Sequence, residues 1–227
     1  MSKSYIVSMD PAQLHDYSAL AVLEKTDTTY RILSLKHKQH LPYTEIVEWA
    51  KKVFLNPKFS KDVTSPPVFV LDIGGVGMAI KDMMTAAKVE TVGIQYTGGA
   101  AVSKEGDNWH VSKSFIVGKF LAAWDESRVL MPSGASFLDM FQGELRAFRG
   151  EMSAQGRAKF EAEQGEHDDL VMAVGQGVWY GEQAEPVDCG WGRSRLYGTP
   201  EARTRRMLND YQRGDGPEPR HLGPSWR

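Results

Sequence analysis

The order of elements along the chain predicts an α/β fold: a mixed sheet, in which an antiparallel three-strand meander is extended by parallel strands, with helices on both faces. Three observations lead there. The chain opens with three β-rich segments separated by short turns. A wholly apolar run, Val68-Phe69-Val70-Leu71, stands in its first half and ends at an acid, Asp72. From there on, amphipathic helical segments alternate with further strands.

Tyr5-Ile6-Val7-Ser8-Met9-Asp10 reads as a strand ending at a carboxylate. Pro11 to Asp16 is a polar turn, Tyr17 to Glu24 a second strand and Thr28 to Lys36 a third. In the third, the alternation Tyr30, Ile32 breaks at Leu33, yet β-branched content and polar flanks support a strand. Short connections make these three an antiparallel meander. Pro42 suits the first turn of a helix carrying Ile46, Val47, Trp49, Ala50, Val53 and Phe54, which Asn56-Pro57 ends. The absence of polar alternation from Val68 to Leu71 predicts a strand buried on both faces.

Met78 to Ala87 is predicted helical and Thr91 to Tyr96 a strand, followed by a hairpin-like excursion around Gly106-Asp107-Asn108. Ser112 suits the N-cap of a helix bearing Phe115, Ile116, Phe120, Leu121 and Trp124. Val129 to Pro132 reads as an edge segment, Ala135 to Phe148 as a helix and Arg157 to Glu161 as a short strand. A last helix starts within His167-Asp168-Asp169-Leu170-Val171-Met172-Ala173-Val174 and runs to about Tyr180. After Gly181 periodicity gives way to Gly, Pro and Arg. The expected organisation is therefore a domain over 1–181 and a partly disordered tail over 182–227.

Composition narrows the function class. The 227 residues are 41% hydrophobic and 25% charged, ordinary for one sizeable core. The net charge is −2, but residues 193–227 carry eight arginines against four acids, a net +4 that leaves −6 for the rest. An acidic body with a basic tail is compatible with nucleic acid, and equally with a solvated tail. Cys189 is the only cysteine, which excludes an intrachain disulfide and a cysteine zinc cluster and suits a reducing, cytoplasmic setting. No apolar run approaches the ~18 residues of a membrane span, and the opening Met1-Ser2-Lys3-Ser4 leads into a strand rather than a signal peptide.

The acids mark the chemistry. Asp10 and Asp72 end strands, and Asp168 and Asp169 open the final helix. Strand C-terminal ends are where α/β sheets bind ligands. If the first and fourth strands are neighbours, Asp10 and Asp72 project together and a docked helix adds Asp168 or Asp169. Gathered carboxylates repel one another and hold protons unless a cation neutralises them. Their hard oxygens select Mg²⁺ or Mn²⁺, and two such ions roughly 4 Å apart can hydrolyse a phosphodiester. Each acid also has a plainer explanation. Asp10 before Pro11 and Asp72 before the glycines can shape turns, and Asp168 and Asp169 can complement a helix N-terminus.

Three pieces of the chain resemble the nuclease domain of phage and viral terminase large subunits. They are Asp10-Pro11-Ala12 with Asp16-Tyr17-Ser18-Ala19, Val70-Leu71-Asp72-Ile73-Gly74-Gly75-Val76-Gly77, and His167-Asp168-Asp169-Leu170-Val171-Met172-Ala173. Between the second and third, Tyr96-Thr97-Gly98-Gly99 and Trp109-His110-Val111-Ser112-Lys113 are similar to the family's strand, hairpin and following helix. The resemblance spans roughly residues 5–180. It implies a ribonuclease H-like fold and two-metal cleavage of double-stranded DNA with two Mg²⁺ or Mn²⁺ ions. Carried over by position, it implies Asp10, Asp72 and Asp169 as catalytic metal ligands, Asp168 assisting or replacing Asp169, and Asp16 as a supporting acid. His167 would be a supporting donor and Lys113 a phosphate contact. The partners implied are duplex DNA and, in packaging, a terminase ATPase, a small subunit and a portal protein.

The chain has no G-x-x-x-x-G-K-[ST] loop, so no motor activity is assigned to it. Two further readings use the same fold: a Holliday-junction resolvase-like nuclease, and a non-catalytic module that binds DNA or a partner. An actin-like nucleotide-binding fold lacks support, because Pro11-Ala12-Gln13-Leu14 is not a glycine-rich phosphate loop.

Overall fold

A computed structural model describes residues 3–12, 16–61, 63–98, 101–132, 136–155 and 168–183. An eight-stranded sheet runs through it in the order β6-β7-β5-β4-β1-β2-β3-β8. Strands β1 (Lys3–Asp10), β2 (Tyr17–Thr26) and β3 (Thr29–Gln39) form the antiparallel meander. On the other side of β1, strands β4 (Val68–Asp72), β5 (Val92–Thr97) and β7 (Asn108–Ser112) pair in parallel. The short β6 (Ser103–Glu105) pairs antiparallel with β7, which gives the expected hairpin. Val129–Leu130, β8, closes the far edge beside β3.

The break at Leu33 has a local cause. Ile32 lies opposite Leu23 and Ser34 opposite Val22, so Leu33 is the extra residue of a bulge and its side chain is exposed.

Helices cover both faces. Tyr43–Phe54 (α1) and Gly77–Ala86 (α2) bury Ile46, Ala50, Phe54, Ile80 and Met84 against Val7, Met9, Phe69 and Leu71. Lys113–Asp125 (α3), Leu138–Gln155 (α4) and Asp169–Gln183 (α5) lie over the other face, with Ile6, Val70, Ile94 and Val111 beneath them. Phe69 and Leu71 therefore face one core while Val70 faces the other, which is why β4 tolerates no polar alternation.

Helix α5 occupies the centre: every residue from Leu170 to Gly181 is buried. It approaches the sheet closely enough that a Cβ at Gly177 would lie 2.7 Å from Leu23 Cδ1 and 3.1 Å from Ser8 Cβ. Trp179 meets Trp109 of β7 edge-to-face at 5.5 Å between ring centroids, tying the helix to the parallel half of the sheet. The helix continues past Tyr180 to Gln183. Among the described residues no helix is long and apolar enough to cross a membrane. The strand expected at Arg157–Glu161, His167 and the arginine-bearing tail beyond Gln183 lie outside the described residues.

Candidate active site

Parallel pairing of β1 with β4 sets Met9 opposite Leu71, so the next residue of each strand, Asp10 and Asp72, ends side by side at the sheet's C-terminal edge. Adjacent strands lie about 4.8 Å apart. By strand alternation both acids share the face of Ser8 and Val70, the face that α5 covers.

Local sequence holds Asp72 in place. Its Oδ1 accepts the Gly74 N–H at 2.7 Å. The turn that follows needs a glycine at Gly77, where a Cβ would lie 1.9 Å from the Asp72 carbonyl oxygen and 3.5 Å from Pro11 Cγ. The glycine thus lets α2 start directly behind the strand end, against the turn that carries Asp10.

The other two acids arrive from α5. Asp168 precedes the helix and Asp169 is its first residue. Lys113 begins α3 directly after its N-cap Ser112, whose Oγ accepts the Phe115 N–H. Its Nζ meets Asp168 Oδ2 at 2.5 Å, with both side chains largely covered. The expected phosphate contact is thus engaged by a carboxylate in this structure.

The carboxyls feel one another. Asp10 is held well above the usual carboxylate range, first by burial and then by the charges of Asp72, Asp169 and Asp168, with Lys113 opposing. Asp72 is pushed up to about 6 by burial, offset by the Gly74 N–H and Lys113. Residues 10, 72, 168 and 169 therefore form one electrostatic unit, drawn from β1, β4 and the start of α5. Among the described residues, no three acid, histidine or cysteine side chains are closed up into a ready set of metal ligands.

Asp16 is exposed in the turn entering β2, at the same sheet end because Asp10 pairs with Ala19. It is not among the charges that raise Asp10. The structure thus brings together Asp10, Asp72, Asp168, Asp169 and Lys113, and leaves Asp16 at the rim.

Two further polar residues lie beside these acids or are bonded to one that does. Tyr96, at the end of β5, has its hydroxyl pushed well above its ordinary pKa by burial and by Asp72, Asp10 and Asp168. That hydroxyl donates to Gln176 Oε1 at 3.4 Å. Gln176, on α5, is 0% exposed, and its Nε2 has no hydrogen-bond partner among the described residues. Spacing offers one clue to Tyr96: it is the last residue but one of the strand beside that of Asp72, near the same sheet end as Asp10 on the other side. For Gln176, buried inside an apolar helix seven residues beyond Asp169, the polar residue in an apolar run is the only sequence signal.

No protein-family model and no curated protein matches the chain. Solved structures do. The large terminase nuclease of thermophilic phage G20c, solved with bound cobalt and with bound magnesium, matches at 21% identity and TM-score 0.55, covering 78% of this chain and 81% of that one. A Thermus phage large terminase nuclease domain matches at 19% identity and TM-score 0.53, covering 77% and 78%. A large terminase from another thermophilic bacteriophage matches at 8% identity and TM-score 0.53, with 78% of this chain lying on 40% of that longer one. At such identities the likeness carries the fold, and this chain has the ribonuclease H-like fold of the large terminase nuclease domains.

Proposed function

We propose that the chain is a divalent-metal-dependent endonuclease that cleaves double-stranded DNA in viral genome packaging. The observation that carries the reading is that Asp10 and Asp72 end neighbouring parallel strands and that the charges of Asp72, Asp168 and Asp169, far apart in sequence, all act on Asp10. A binding module gains nothing from stacking carboxylates where DNA phosphates would be repelled, unless a cation sits between them.

The donor chemistry fits Mg²⁺ or Mn²⁺: all the candidate ligands are hard carboxylate oxygens, and two of them carry raised pKa values that a cation would relieve. The G20c nuclease was solved with magnesium and cobalt bound, which supports a divalent cation without choosing the ion. When bound, two such ions would activate the attacking water and stabilise the leaving oxygen of the phosphodiester.

In this reading Asp10, Asp72 and Asp169 hold the cations and Asp168 orients Lys113. Lys113 offsets the acids until substrate arrives and then reaches a phosphate oxygen. The Tyr96 hydroxyl, kept neutral beside the acids, adds no further negative charge to that wall. Asp16 and His167 remain supporting candidates. Duplex DNA is the proposed substrate; a terminase ATPase, a small subunit and a portal protein are the proposed partners.

The test is nicking and linearisation of supercoiled plasmid in Mn²⁺, in Mg²⁺ and in EDTA. Cleavage that requires the cation and disappears in Asp72→Asn is the expected result. An Asp72→Asn protein that cuts at the wild-type rate overturns the site.

A further inference from the structure

The first turn of α5 sets the direction of two site carboxylates, and its backbone amides need acceptors. In many helices the residue before the first turn supplies one from its own side chain, and aspartate is among the best at it. Asp168 stands in that position, yet its Oδ2 is engaged by Lys113. The acceptor comes instead from another helix. Glu144 of α4 turns Oε2 toward the amides of Leu170 and Val171, accepting at 3.0 and 3.2 Å.

A carboxylate is an expensive choice there. Glu144 is half-buried and lies close enough to Asp169 and Asp168 to feel both charges. Burial, ahead of those charges, lifts its pKa to about 7 even though both amides pull it down. Like charges are normally kept apart at such a place. Two amide donors and the positive end of a helix are what make the position tenable.

We propose that Glu144 is a positioning residue: it caps α5 in place of Asp168, so that Asp168 is spared for Lys113 and Asp169 leaves the helix on the side of Asp10 and Asp72. This rests on the reading of that pocket as a cation site. The geometry makes the acceptor's position the essential feature, with its charge secondary.

Two conservative variants separate position from charge. Glu144→Gln keeps an acceptor oxygen at the same reach and drops the charge. Glu144→Asp keeps the charge and withdraws the oxygen by one methylene. Mn²⁺ binding is measured by electron paramagnetic resonance without DNA, alongside amide hydrogen exchange in the first turn of α5 and plasmid cleavage across a Mn²⁺ series. Glu144→Asp should weaken Mn²⁺ binding roughly tenfold to a hundredfold, as changes behind metal ligands do. It should also speed exchange at Leu170 and Val171 and recover most of its cleavage rate at saturating Mn²⁺. Glu144→Gln should stay within about tenfold on all three, nearer the wild type than the Asp variant.

Equal Mn²⁺ binding by Glu144→Asp and wild type overturns the proposal, as does a Gln variant worse than the Asp variant. Asp72→Asn is run in parallel. If it loses Mn²⁺ while Glu144→Asp does not, the cation site stands and the positioning role falls. A wild-type protein that binds no Mn²⁺ removes both.

Discussion

Replacing Asp72 by asparagine should make the metal-free protein more stable while making it inactive. The side chain is half-buried beside Asp10, and its folded pKa of about 6 stands above the ordinary 3.8. The sign follows directly. A raised acid pKa means that the folded chain keeps a proton the unfolded chain has released, so stability falls as pH rises between the two values. Above about 6 the full cost is present. At 1.36 kcal/mol per pH unit that cost is about 3 kcal/mol. An asparagine in its place would carry no charge and could still accept the Gly74 N–H through its amide oxygen. Asp72→Asn in EDTA should therefore gain up to about 3 kcal/mol at pH 7.5, or roughly 6–12 °C in midpoint for a chain of this size. Near pH 4 the gain should vanish. Mn²⁺ should reverse the order, because the wild type gains stability by binding it and the variant does not. Urea unfolding followed by tryptophan fluorescence at about pH 4 and 7.5, with EDTA and with Mn²⁺, reads all four corners. A variant no more stable than wild type in EDTA at pH 7.5 refutes the claim that burial strains this carboxylate.

Other perturbations test the rest of the site. Lys113→Ala removes the cation that offsets Asp10, Asp72 and Asp168, and should cost about 2 kcal/mol at pH 7.5 in EDTA; unchanged urea unfolding would mean that its 2.5 Å contact with Asp168 is energetically idle. Tyr96→Phe deletes a hydroxyl on which the charges of Asp72, Asp10 and Asp168 act, and plasmid cleavage at saturating Mn²⁺ should slow at least about tenfold while Mn²⁺ affinity holds. Gly77→Ala would drive a Cβ into the Asp72 carbonyl, so a loss of about 3 kcal/mol is expected in thermal unfolding; a protein that melts like wild type would show that the turn relaxes freely. Because protons compete with the cation at Asp72, cleavage at limiting Mn²⁺ should climb as pH rises from about 5 to 7, and a flat profile would detach Asp72 from cation binding.

Much of the architecture follows from patterns only a few residues long. The unbroken apolar stretch Val68–Leu71 demanded burial on two faces, and it lies between two cores. Alternation fails at Leu33 within a segment read as a strand, and the strand is there with a bulge at that residue. Ser112 was recognisable as a cap because the capping bond joins residues three apart. Strand-end acids at Asp10 and Asp72, and the pair opening the last helix, could be picked out for the same reason: an element's end is a local property.

Which of those ends meet is not local. Asp10 and Asp72 become neighbours only because β4 returns parallel to β1 after a crossover through α1, and strand order is settled by packing both faces at once. Lys113 reaches Asp168 across 55 residues and Glu144 reaches Leu170 across 26, and neither separation leaves a repeat or a motif behind. An ordinary glutamate in an amphipathic helix looks like a solvated one until α5 docks against it. Short-range steric and hydrophobic preferences choose the elements and place chemistry at their tips. The long-range burial of α5 decides which charges act on one another, and hence which of them are forced out of their ordinary protonation range.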